Sequence, residues 1–173
     1  MAGLLPRGKG VIKNVDTSVK INLEEYRKLR KEGAPKAIPT ICVLTTKKDK
    51  DFNPERAKSR IVALGNLEDC EWAKHKRYAP VLQYSSIRLM ASLAIQRKRV
   101  IQQGDVKNAF CNADLPPDEV TIVRPPAGDP DVKPGEYWKL KSTLYGLRRS
   151  PKHWFDMLTQ ILTNMGLVYR ELY

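Results

Sequence analysis

Val100-Ile101-Gln102-Gln103-Gly104-Asp105-Val106-Lys107-Asn108-Ala109-Phe110 is the stretch on which the reading of this chain turns. Its first half is bounded by β-branched residues, and Val100 to Val106 is read as a strand. Asp105 then stands at the end of an apolar-flanked strand, directly after Gly104. A strand-end aspartate can turn both carboxylate oxygens toward a cation that also holds phosphates, and a strand fixes its aim. Taken alone, the same residue is an ordinary turn aspartate. Asp114 is either a second ligand or the residue that opens the turn at Leu115-Pro116-Pro117.

Upstream, Ser85 and Ser86 precede Ile87, Met90, Ala91, Ala94 and Ile95, an i, i+3, i+4, i+7, i+8 stripe that predicts a serine-capped amphipathic helix. Ile41 to Thr46 and Arg60 to Leu64 read as strands, joined through a charged segment with Asn53-Pro54 as its turn, so a hairpin with a long basic tip is expected. Earlier still, Asn22 with Glu25 predicts a helix start and Gly33 its stop, while the first twenty residues read as loosely ordered. Downstream, Val120 to Val123 and Tyr137 to Leu140 read as short strands around a Pro/Gly-rich loop, Arg124 to Glu136. Ser150 as N-cap and Pro151 at the first helical position begin a final helix, with Trp154, Leu158, Ile161, Leu162 and Met165 on one face and Gly166 after it. The mixed order of elements predicts an α+β fold, a mixed or antiparallel sheet backed by helices.

The chain has 173 residues, the size of one domain or of part of a larger one, and 42% of them are hydrophobic, which suits a globular core. Its net charge is +12, from 31 Lys+Arg against 19 Asp+Glu. Such an excess points to polyanionic partners, nucleic acid above all, or to solvated basic faces. Cys42, Cys70 and Cys111 are widely spaced, with no CxxC and only His75 and His153 to help them, so reduced cysteines are expected rather than a zinc site. No apolar run approaches the roughly 20 residues of a membrane span and the start carries no secretory signal, so the cytosol or nucleus is the expected location.

P-loop, GxGxxG, HExxH and GxSxG motifs are absent. Lys47, Lys48, Lys50, Arg56, Lys58 and Arg60 could clamp a triphosphate from the hairpin or form its solvated surface. Leu144 to Pro151 is a glycine turn running into a helix start, a place that can receive a phosphate or simply a well-made junction.

Three ordered segments resemble the reverse transcriptase of copia-type LTR retrotransposons. Ala57-Lys58-Ser59-Arg60-Ile61-Val62-Ala63-Leu64-Gly65 is similar to that family's K-A-R-L-V-A-R-G strand, and Tyr78-Ala79-Pro80-Val81 with Ser86-Ile87-Arg88 to its F-A-P-V and S-I-R. Asp105-Val106-Lys107-Asn108-Ala109-Phe110 resembles D-V-K-T-A-F, and Lys139 to Trp154 resembles K-L-x-K-S-L-Y-G-L-K-Q-S-P-R-x-W. The likeness runs from about Ile38 to Gly166, which divides the chain into an N-terminal segment, 1–37, and a partial reverse transcriptase domain, 38–173.

The resemblance implies an incomplete right-hand polymerase fold, fingers plus the first half of the palm. It implies nucleotidyl transfer with two Mg²⁺ ions, on an RNA template and DNA primer with deoxynucleoside triphosphates, within a virus-like particle in the intact element. By the same likeness Asp105 is the first catalytic, metal-binding carboxylate, and Val106 lies along the triphosphate. Phe110 is the gate against a ribose 2′-hydroxyl, while Arg60, with Lys58 nearby, holds the triphosphate. Tyr145 and Gly146 contact the nucleotide, and Arg148, Ser150 and Pro151 the template and primer. Leu64 and Asn66 depart from the pattern, replacing an arginine and the phenylalanine after the glycine. The Y-x-D-D motif that supplies the remaining catalytic aspartates occurs nowhere in the sequence. The expectation is therefore a polymerase fragment, inactive alone and dependent on a C-terminal half. A basic nucleic-acid-binding module and a functionless remnant stay open beside it.

Overall fold

A computed structural model describes residues 17–167. Asn22 begins the first helix as its sequence implies: its Oδ1 accepts the backbone N–H of Glu25 at 2.8 Å, with Glu24 and Glu25 in the first turn and Lys28, Arg30 and Lys31 in the last. This helix, α1 (Leu23–Lys31), ends before Gly33, whose φ of +94° suits glycine. The opening twenty residues, expected to be loosely ordered, include a strand, β1 (Ser18–Ile21). Residues 1–16 lie outside the described part.

Four further strands follow: β2 (Ile38–Lys48), β3 (Pro54–Ala63), β4 (Ile122–Arg124) and β5 (Tyr137–Leu140). The sheet order is β1-β5-β4-β2-β3, antiparallel everywhere except the parallel β2–β4 pair, so the sheet is mixed. The α+β class holds. The long β2–β3 hairpin pairs from Thr40↔Ala63 out to Lys48↔Pro54, while β2 meets β4 only at Ile38↔Val123 and Pro39↔Arg124.

The core lies where the hairpin root, β4 and β5 meet the segments 111–115 and 144–147. Ile38, Ile61, Val123, Trp138, Leu140 and Leu144 are its larger buried members. Burial of such side chains stabilises by about 1.5–3 kcal/mol each. Glu136 links β1 to β5: its Oε1 accepts Trp138 Nε1–H at 2.8 Å and pairs with Lys20 Nζ at 3.0 Å. On the other side of β5, Tyr26 of α1 stacks on Tyr137 with ring centroids 4.2 Å apart.

Burial alone would raise the Glu136 pKa, but the Trp138 and Lys20 interactions, with the Lys133 backbone N–H, bring it below the ordinary glutamate value. A carboxylate lowered in the folded state adds stability above its unfolded pKa and loses it as pH falls through the folded one. Glu136→Gln is therefore expected to flatten the acid side of the stability profile. The check is urea midpoints between about pH 6 and about pH 3. An unchanged pH dependence would show that Glu136 does not carry this part of it.

Helices α2 (Lys74–Arg77), α3 (Tyr84–Gln96) and α4 (Ser150–Asn164) complete the elements, with one-turn 3₁₀ segments at Gly65–Leu67 and Ala109–Asn112. Three expectations are corrected. Residues 100–106 belong to no strand: they pair with no described strand, and Val100 is 87% and Ile101 61% exposed. Helix α3 opens after Gln83 with no side-chain cap, and Ser85 and Ser86 sit inside it. Ser150 is the first residue of α4 rather than its cap: its hydroxyl donates to Leu144 O at 2.6 Å. Helices form where the apolar stripes predict them, but the stripe of α3 is largely exposed at Ile87, Met90 and Ile95, as are Ile161 and Leu162 of α4 and Met165 after it.

Candidate nucleotide site at the hairpin root

Strand alternation builds one wall. Arg56, Lys58 and Arg60 share one face of β3, while Ile61 and Ala63 on the other face are buried. The cations crowd one another: partial desolvation, then Arg60, Lys47 and Arg56, lower the Lys58 pKa, and Asp105 opposes them. That opposition puts the Asp105 carboxylate within electrostatic reach of Lys58.

The second wall is the turn after β5. The Ala63 N–H donates to Tyr145 O at 2.7 Å, which fastens the turn to the end of β3. The Tyr145 ring then lies under Arg60, whose Cζ is 5.5 Å from the centroid, and meets Phe110 edge-on at 5.1 Å. Phe110 is held from behind, since its carbonyl accepts the Thr143 hydroxyl and the Thr143 N–H donates to Ala113 O at 2.8 Å. Asn108, with φ +54°, turns the chain from the exposed segment of Asp105 into this packed one. Burial, then Cys111 and Asp105, raise the Tyr145 pKa against the effect of Arg60, so its phenol stays protonated at neutral pH. Burial likewise raises the thiol of Cys111 beneath it.

The structure brings Arg60, Phe110 and Tyr145 into contact, with Lys58 on the same face of β3 as Arg60 and Asp105 within electrostatic reach of Lys58 and Tyr145. Val106 is half exposed beside Asp105. Gly146, with φ +90°, lies against Ala63 and Gly65. Arg148 faces the hairpin root instead of open solvent: its N–H donates to Glu68 Oε1 at 2.8 Å and its guanidinium to Asn66 O at 3.2 Å. Ser150 is buried and holds the turn through Leu144, and Pro151 follows it half-buried in the first turn of α4. Both departures from the family pattern fall where the fold uses main chain. Asn66 offers its carbonyl to Arg148, and the Leu64 N–H donates to Pro39 O at 2.9 Å.

A cationic face, an aromatic pair and one carboxylate suit the triphosphate, sugar and cation of a nucleotide. They do not suit a resident metal on their own. Among the described residues no three His, Cys, Asp or Glu side chains converge on a metal position, and Asp114 is turned away, accepting from Ser142 Oγ at 3.0 Å. A Mg²⁺ pair needs several carboxylates, so no metal-dependent step is derived from this chain.

Sequence reading missed a second cluster. Glu119 pairs with Arg149 and, at 3.1 Å, with His153 Nε2; Arg149 lies over Trp72 at 4.3 Å; and Trp72 Nε1–H donates to Glu68 Oε2 at 2.9 Å. These partners come from three distant segments, 68–72, 119 and 149–153, and no local spacing announces the meeting.

A family profile described as "Reverse transcriptase (RNA-dependent DNA polymerase)" matches residues 24–172. The chain belongs to that family. Its relatives include the retrovirus-related Pol polyprotein from transposon RE1 of Arabidopsis thaliana, 32% identical over 73% of this chain and 8% of that protein. The corresponding polyprotein of transposon TNT 1-94 from Nicotiana tabacum is 32% identical over 76% of this chain and 10% of its own length. The Ty1-DR5 Gag-Pol polyprotein of Saccharomyces cerevisiae is 27% identical over 87% of this chain and 8% of its own. The chain is thus a copia-type reverse transcriptase domain that spans a tenth or less of these relatives. No helix among the described residues is long and apolar enough to cross a membrane.

Proposed function

We propose that residues 38–173 are the fingers and first half of the palm of a retrotransposon RNA-directed DNA polymerase, and that they carry its nucleotide-receiving side. The observation behind this reading is convergence. Arg60 of the hairpin, Phe110 and Tyr145 are in contact although they are scattered along the chain, and Lys58 and Asp105 lie within electrostatic reach of that cluster. In this reading Arg60 and Lys58 neutralise the triphosphate, Phe110 on Tyr145 crowds a 2′-hydroxyl, and Val106 lies along the phosphates. Asp105 contributes one carboxylate to a Mg²⁺ site whose other ligands are not among the described residues. Gly146 and Arg148 set the turn facing template RNA and primer DNA, with Ser150 and Pro151 supporting it from below. The setting is the cytosol or nucleus.

One carboxylate cannot organise two-metal transfer, so the purified chain is expected to bind deoxynucleoside triphosphate without extending a primer. Primer extension that disappears in Asp105→Asn would overturn the inactivity. Binding of RNA with no binding of triphosphate would favour the basic-module reading, in which the hairpin only follows a phosphate backbone.

A further inference from the structure

A cavity of about 180 Å³ lies between the hairpin root, the 115–121 segment and the start of α4. Ile38, Trp72, Leu115, Val120 and Leu147 give it apolar walls. A dry cavity of roughly 150 Å³ accommodates a benzene ring, so this one has room for a single bulky apolar side chain. Its shape is braced by the Glu119–Arg149–His153 cluster and by Arg149 over Trp72.

Two observations define what enters. Arg149 Nε is buried without a hydrogen-bond acceptor, an N–H that a carbonyl oxygen would satisfy. The lining also carries an acidic rim on a chain whose net charge is +12. Glu68 and Glu119 are engaged within the protein, whereas Asp69 and Asp118 are exposed and unpaired; Lys36 is the exposed cation beside them. An apolar recess with surplus negative charge repels a phosphate backbone and attracts a basic chain.

We propose that this cavity docks a basic peptide segment of a partner protein, one bulky apolar side chain filling the recess, its flanking lysines or arginines on Asp69 and Asp118, and a backbone carbonyl accepting from Arg149. A single deeply seated anchor with charged flanks is the ordinary economy of such contacts. None of Lys58, Arg60, Asp105, Phe110 or Tyr145 lines the cavity, although Thr143 and Ser150, which brace the turn behind them, do.

The test uses the whole chain and a fluorescein-labelled peptide, Gly-Lys-Phe-Lys-Gly. Anisotropy should report saturable binding that weakens at least tenfold when the peptide's phenylalanine is replaced by alanine. The paired substitution Asp69→Asn with Asp118→Asn should weaken it at least threefold. Cys70 lines the recess and Cys42 is exposed on β2, so bound peptide should slow alkylation of Cys70 and leave Cys42 unchanged. This second readout needs no substitution and therefore no assumption about folding. Equal affinity for the alanine peptide, or no protection of Cys70, overturns the proposal. So does protection of Cys70 by a single-stranded oligonucleotide in place of the peptide, which would assign the recess to nucleic acid.

Discussion

Gly146→Ala is expected to destabilise the chain by about 3 kcal/mol or more, a large share of the stability of a domain this size. A Cβ at that position would lie 2.0 Å from Ala63 O, 2.7 Å from Val62 Cγ1 and 3.0 Å from the Ala63 carbonyl carbon, and φ is +90°. Two of those atoms are main chain, so no side chain can rotate away. Relief requires parting the turn from β3, which breaks the bond from Ala63 N–H to Tyr145 O. Gly65 is the reciprocal case: a Cβ there would sit 2.1 Å from Gly146 O. Gly104→Ala supplies the control, since a Cβ there meets nothing within 4 Å and its φ is not positive. Urea midpoints for the three variants decide the matter. A Gly146→Ala midpoint equal to that of Gly104→Ala would show that the turn does not pack on β3 as described.

Arg60→Ala is expected to weaken deoxynucleoside triphosphate binding by roughly 30-fold, the equivalent of about 2 kcal/mol for a charge-assisted contact to phosphate. Its guanidinium is exposed and rests on Tyr145, so the fold should survive the change. Arg148→Ala should cost less binding, because that guanidinium is already engaged with Asn66 O. Equilibrium dialysis with labelled nucleotide at low ionic strength separates the two. Equal losses for both variants, or none for Arg60, would remove the hairpin cations from the triphosphate site.

Much of the fold is legible because its signals are local. Asn22 with Glu25, the β-branched runs of the hairpin, the Pro/Gly loop before β5 and Gly166 after α4 each act within a few residues, and each appears where its chemistry puts it. The segment from Val100 to Val106 has the same β-branched signal, yet a strand exists only with a neighbour, and the described residues give it none. Ser150 looked like a cap because serine usually is one; a carbonyl six residues earlier claimed its hydroxyl instead. The candidate site is legible in the sequence only as ordered blocks of residues, and the blocks do not say which side chains meet. Glu68, Trp72, Glu119 and Arg149 were not readable at all. Pairs such as Arg148 with Glu68, 80 residues apart, or Arg149 with Glu119, 30 apart, leave no periodicity to detect.

The two-pair ladder between β2 and β4 makes the hairpin a cantilever with a short root. Its arms of eleven and ten residues reach roughly 30 Å from that root at about 3.3 Å per residue. A rotation of about 5° at the ladder would carry the tip turn about 3 Å and Arg60, near mid-length, about half as far. The bond from Ala63 N–H to Tyr145 O acts as the stop on that lever. The gap between the cationic face and Tyr145 is thus set by a pivot of a few main-chain bonds, and a small torque at the root is geared into ångströms where phosphates would sit.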